Sequence, residues 1–198
     1  MEFLEGFLLI MESTMENIKV YTDNYYYKFG LYQMLAHIYR FEKPLPDSKV
    51  VKGKACGIVF RQNVASIIYP KHEQTVQTLD IPFVCNTLNL SEINAKLEKI
   101  MMMTHYPYFE CDKRMVYQRL GIKSYHQLSG AEYTVLCYCG KGYRPKDIAN
   151  ILECSEKTVN THCRNAMRKM GMSKRAELYQ YATMIMCNEG RERSTLCL

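Results

Sequence analysis

Two textures of hydrophobic and polar positions divide the chain. Up to about residue 105, short apolar runs of strand character alternate with amphipathic stretches: Ile18 to Thr22, Phe29 to Ile38, Cys56 to Phe60, Ser66 to Tyr69 and Phe83 to Cys85, then Ser91 to Met103. Such alternation predicts an α/β layer fold, a mainly parallel sheet flanked by helices. Glu42 to Gly53 and Pro70 to Asp80 carry little helical pattern, and Thr104 to His126, which lacks an apolar period and contains Pro107, reads as a linker with some helix. After Gln127 the pattern changes to closely spaced helical periods with sharp starts and stops. The expected organisation is an extension over 1–14, an α/β domain over 15–105, a linker over 106–126, an all-α four-helix domain over 127–187 and a tail over 188–198.

The helical part has strong local signals. Ser129-Gly130-Ala131-Glu132 is a capping box, so a helix is predicted from Gly130, with Val135, Leu136 and Cys139 on its inner face and Gly142 to end it. Pro145 suits the first turn of a second, short helix carrying Ile148, Ala149 and Leu152 inward. A tight break at Glu153-Cys154 precedes Ser155, which can cap a third helix. Two short helices so closely joined have the spacing of a helix-turn-helix. In the third helix Val159, Cys163, Ala166 and Met170 step by 4, 3 and 4, while Lys157, Thr161, Arg164 and Arg168 follow the same intervals on another side. A fourth pattern starts at Ser173 and places Leu178, Tyr181, Ala182 and Ile185 in one strip, suited to closing the domain or to a dimer seam.

Charge and composition narrow the function classes. At 47% hydrophobic and 23% charged over 198 residues, the chain has the makings of folded domains, and no apolar run approaches the ~18 residues of a membrane span. The run Phe7 to Met11 lacks the basic flank of a secretory signal. Nine cysteines, an odd number partly within apolar helical patterns, read as reduced thiols in a cytoplasmic protein. The net charge of +6 is concentrated in residues 127–187, where nine Lys/Arg face five Asp/Glu, which suits a polyanion but also an ordinary solvated helix surface. Cys137-Tyr138-Cys139 points in different directions along a helix and has no partner cluster, so no metal and no cofactor is expected. Tyr25-Tyr26-Tyr27 is read as the start of a helix rather than a stacking platform, Met101-Met102-Met103 as helix end and core, and His162 as a backbone contact rather than a general base. No enzyme chemistry emerges.

The outer stripe of the third helix has the chemistry of a major-groove reader. Arg can contact guanine O6 and N7 together, Asn can pair with adenine, and the Thr methyl can touch that of thymine. Asn160, Thr161 and Arg164 are the candidate base contacts; Lys157, His162, Asn165, Arg168 and Lys169 are candidates for the DNA backbone, which sets register. The run Leu128-Ser129, Glu132, Val135-Leu136, Gly142, Lys146-Asp147-Ile148-Ala149, Leu152, Ser155, Thr158-Val159, His162, Asn165 and Lys169-Met170-Gly171 resembles the helix-turn-helix of LuxR/FixJ/NarL transcription regulators. The resemblance implies base-proximal positions for Asn160, Thr161 and Arg164, and a dimer contact through Leu178, Tyr181, Ala182 and Ile185. Two departures stand out: Arg144 occupies a usual Ser/Thr cap position, and Asn160 replaces a frequent Lys.

In such regulators a receiver domain often precedes the helix-turn-helix, and Ile18 to Asn24 resembles a receiver's first strand with its acidic end. On that alignment Cys56 to Phe60, Ser66 to Tyr69 and Phe83 to Cys85 stand for the third to fifth strands. Phe60-Arg61 then falls where the nucleophilic Asp should be, and Asn86-Thr87 where a Lys should be. A pseudo-receiver without phosphorylation chemistry is expected; a shifted alignment would place the acid at Asp47 or Asp80 instead. The arrangement is similar to enterobacterial accessory regulators of capsule and fimbriae. It implies a sequence-specific regulator of bacterial transcription that binds double-stranded DNA as a homodimer or with another LuxR-family protein, without membrane or small-molecule ligand. The alternative is an interaction protein that sequesters another regulator with little DNA binding; a small-molecule sensor ranks third.

Overall fold

Strand β1 (Ile18–Val20) alternates buried, exposed and buried, as a three-residue edge with one inward face must. The computed structural model describes residues 15–41, 54–61, 63–71, 75–186 and 192–198. The expected extension over 1–14, the alternative acid Asp47 and Cys187 lie outside the described residues. Helix α1 (Tyr25–Phe41) begins at the tyrosine run, and strand β2 (Gly57–Arg61) returns parallel to β1, with Ile18 opposite Ile58 and Val20 opposite Phe60.

Beyond β2 the sheet departs from the expected parallel arrangement. Strand β3 (Val64–Pro70) pairs antiparallel with β2, and β4 (Val76–Pro82) antiparallel with β3. The final strand, β5 (Glu192–Thr195), comes from the tail and lies parallel beside β4, giving a mixed five-stranded sheet in the order β1-β2-β3-β4-β5. The physical reason is connection length: a parallel return needs a crossover of a dozen or more residues, and only two residues separate Arg61 from Val64 and five separate Pro70 from Val76. The α/β layering is as expected; the mainly parallel sheet is corrected to a mixed one. Phe83 to Cys85, expected as a strand, is buried coil at Phe83 and Val84, and Pro70 to Asp80, read as having little helical pattern, holds most of β4.

Helix α2 (Leu90–Thr104) opens on a capping box between Asn89 and Glu92 and buries Leu97, Ile100, Met101 and Met103. The segment expected as a linker contributes to the same core. Helix α3 (Lys113–Leu120), capped by Asp112, inserts Val116 and Leu120 beside Tyr108 among the residues packed on the sheet. A short 3-10 turn at Ser124–His126 leads into the helical part: α4 (Gly130–Gly140), α5 (Pro145–Ile151), α6 (Glu156–Met170) and α7 (Arg175–Met186).

These four helices have their own core, but it is not closed by helices alone. Val64 from the sheet, Val84 from the coil after β4 and Cys197 from the tail belong to the same buried cluster as Val135, Val159, Leu178 and Tyr181. Polar bonds align that junction. The Gln127 amide donates to the Cys197 carbonyl at 2.8 Å and accepts from its N–H at 2.9 Å, and the Tyr181 and Thr195 hydroxyls are 2.7 Å apart. Among the described residues no helix is long and apolar enough to cross a membrane.

Candidate nucleic-acid interface

The presentation of α6 begins with its caps. The Ser155 hydroxyl accepts from the Thr158 N–H at 3.0 Å and Gly171, at φ 70°, ends the helix in the left-handed region that glycine enters freely. The turn before it contains Glu153 at φ 49°, a conformation uncommon for a residue with a side chain. Val159, Cys163, Ala166 and Met170 are all buried against α4, α5 and α7, as their spacing predicts. With that stripe inward, the rotation of about 100° per residue turns Lys157, Thr161, Arg164 and Arg168 outward, and all four are exposed.

Helix α5, which packs against α6, lacks the usual hydroxyl cap. Only the reciprocal half of a capping box is present: Asp147 accepts from the Arg144 backbone N–H at 3.3 Å and from its Nε at 3.1 Å. The Arg144 contact, first among the causes, keeps the Asp147 carboxyl below its ordinary range.

An open concavity of about 790 Å³ lies along the outer face of α6, lined by Glu156, Lys157, Asn160, Arg164, Met167, Ser173 and Arg175. The Thr161 hydroxyl donates to the Lys157 carbonyl at 2.9 Å and accepts from Arg164 at 3.4 Å. Its hydroxyl is therefore engaged locally. Asn160 is half-buried on the flank nearer α7, where its Oδ1 accepts from the Arg175 guanidinium. Residues 126–182 match the family model described as "Bacterial regulatory proteins, luxR family". That segment is a luxR-type helix-turn-helix.

No curated protein and no solved structure matched the chain. The luxR-type segment supports a DNA-binding transcription regulator. Of the expected base-contact set, Asn160 and Arg164 line one concavity and Thr161 lies beside them. Lys157 joins them there, while Arg168 lines a separate hollow with Tyr125, His126 and Lys169. His162 and Asn165 are half-buried on the opposite flank.

Two expectations for the luxR-type domain are corrected. Lys169, expected on the DNA backbone, turns inward. Its Nζ donates to Glu132 Oε2 at 2.7 Å and to the Gln127 carbonyl at 2.8 Å, and its side chain is only 14% exposed. The capping-box acid of α4 thus also anchors α6. Burial pushes the Glu132 carboxyl up, but the bonds from Lys169 and from Ser129 outweigh it and hold the group below its ordinary value. The second correction concerns Leu178, Tyr181, Ala182 and Ile185, expected as a dimer contact. All four are buried within the chain, because α7 is enclosed by α4 on one side and by the sheet and tail on the other. The α7 residues left outward include Ala176, Gln180 and Thr183.

Sequence reasoning missed two residues here. Arg175 was not singled out, although a cation in the first turn of a helix opposes the helix dipole. Glu177 was not singled out at all. Its Oε2 accepts from the Ser173 and Lys174 N–H groups at 2.9 and 3.0 Å, and its Oε1 from Asn86 at 3.1 Å. The Lys174 amide foremost holds its carboxyl below the ordinary range. Through Glu177 the loop beside the concavity is tied to the N-terminal domain.

Cys139 and Cys163 meet inside the helical core. The Cys139 hydrogen bond, first among the causes, and the neighbouring Arg175 guanidinium favour the Cys163 thiolate, while the same contact keeps Cys139 protonated.

Proposed function

We propose that this protein is a sequence-specific regulator of transcription that reads the major groove with α6. The observation that carries the reading is the outward row of Lys157, Thr161 and Arg164 on a helix whose opposite face is wholly buried, within a segment that matches the luxR family. Arg164 and Thr161 read bases, and Lys157 and Arg168 hold phosphates.

The regulator works without phosphorylation. In support, β2 ends in Phe60-Arg61, and the Arg61 guanidinium lies over the Tyr21 ring at 5.8 Å, a cation where an aspartyl nucleophile would be required. It acts as a homodimer or with another regulator of the same family, through a seam other than the enclosed Leu178 to Ile185 strip. Its targets, on the resemblance to accessory regulators, are genes for capsule or fimbriae.

Selection from a random duplex library tests the reading. A motif of two related half-sites is expected, their centres about one helical turn apart or a multiple of it. Arg164→Ala should weaken specific binding by about 1–3 kcal/mol and relax one position, whereas Lys157→Ala should weaken all sequences evenly and lower the salt slope by about 1. Enrichment of no motif, with Arg164→Ala equal to wild type, would reject the proposal.

A further inference from the structure

Asn160, one of the two departures from the LuxR-type pattern, has as its partner Arg175, on the first turn of α7. Both line the concavity beside Lys157 and Arg164. A free asparagine amide recognises adenine with two groups at once: its oxygen accepts from N6 while its nitrogen donates to N7. Here the oxygen is already bound by a guanidinium, which fixes the amide with its nitrogen turned away from Arg175. An incoming adenine N6 amino group would converge on the same oxygen as a cationic donor, placing donor against donor. Apart from the one lone pair left on that oxygen, what the pair offers is donors, the two N–H groups of the Asn160 amide and the unused N–H groups of Arg175.

We propose that Arg175 is a specificity-determining residue: by taking one lone pair of Asn160 Oδ1 it makes a donor-rich pair that favours guanine, through its N7 and O6 acceptors, over adenine. The pair restores on α7 the positive charge that α6 lacks at position 160. This inference rests on the DNA-reading role of α6 and assigns the base that this part of the helix takes.

The test is library selection with the full chain as wild type, Asn160→Ala and Arg175→Ala. The position flattened by Asn160→Ala marks the base that Asn160 reads. Guanine there in the wild-type motif is expected, together with a shift toward adenine in Arg175→Ala, whose freed amide can then pair with both adenine groups. A second measurement needs no variant: replacing that guanine by 7-deazaguanine should weaken wild-type binding about 10-fold by removing the N7 acceptor. Adenine at that position in wild type, or an unchanged preference in Arg175→Ala, overturns the proposal while leaving the DNA-reading role intact. A wild-type protein that enriches no motif overturns both.

Discussion

Lys169 and Glu132 show how a single contact redirects the reading of a residue. On the helix wheel Lys169 is one more cation of a basic reading helix, but it lies on the flank facing the capping box of α4, and a carboxylate there is largely out of water. Bonding the ammonium to that carboxylate satisfies two groups that would otherwise be buried unpaired. Lys169→Met should therefore cost about 3 kcal/mol in chemical denaturation, since it leaves Glu132 without its cation, yet leave the salt slope of DNA binding unchanged. The acid dependence has a defined sign. Glu132 and Glu177 have depressed folded-state values, so their contribution is present above the ordinary carboxylate range and is lost as pH falls through those values. A urea titration repeated below about pH 5 should show Glu132→Gln losing less stability on acidification than wild type. A capping box announces the first bond of Glu132; the second depends on a residue 37 positions away and has no local signature.

At the scale of elements, caps and stripes were legible and enclosure was not. The Ser129, Ser155 and Pro145 starts, the Gly142 stop and the inward faces of α4 to α6 follow from spacing and turn chemistry alone. The strip on α7 was equally visible, but an apolar strip says only that something covers it. Here the coverage includes α4, at such close approach that a Cβ on Gly140 would lie 2.3 Å from the Ala182 carbonyl oxygen. Gly140→Ala should thus force α4 and α7 apart and destabilise the domain by about 1–3 kcal/mol, measured by thermal unfolding, even though alanine is the better helix former. In the N-terminal half, β4 escaped notice because Thr78 and Asp80 interrupt its apolar pattern; both are buried, Asp80 with its carboxylate bound by Ser66 at 2.7 Å.

Across the whole molecule, β5 joins the two halves. The chain leaves α7, returns to the sheet and pairs with β4, where Arg193 grips Asp80 through two bonds of 2.7 and 2.6 Å with Asp80 wholly buried. The neighbouring Thr195 hydroxyl meets Tyr181 of α7, so the strand that completes the sheet also braces the helical core. Arg193→Ala leaves a buried carboxylate unpaired and should cost about 3–5 kcal/mol. It should also split one thermal transition into two; a single transition at unchanged temperature would show that β5 carries no load between the halves. The sequence by itself determined the helix-turn-helix, its caps and the outward row on α6, because each rests on contacts within a few residues along the chain. Only the tertiary structure decided the mixed sheet, the inward turn of Lys169, the enclosure of α7 and the bond from Arg175 that occupies Asn160. Those depend on which distant groups meet, and a hydrogen bond across 15 to 113 positions leaves no period in the sequence to read.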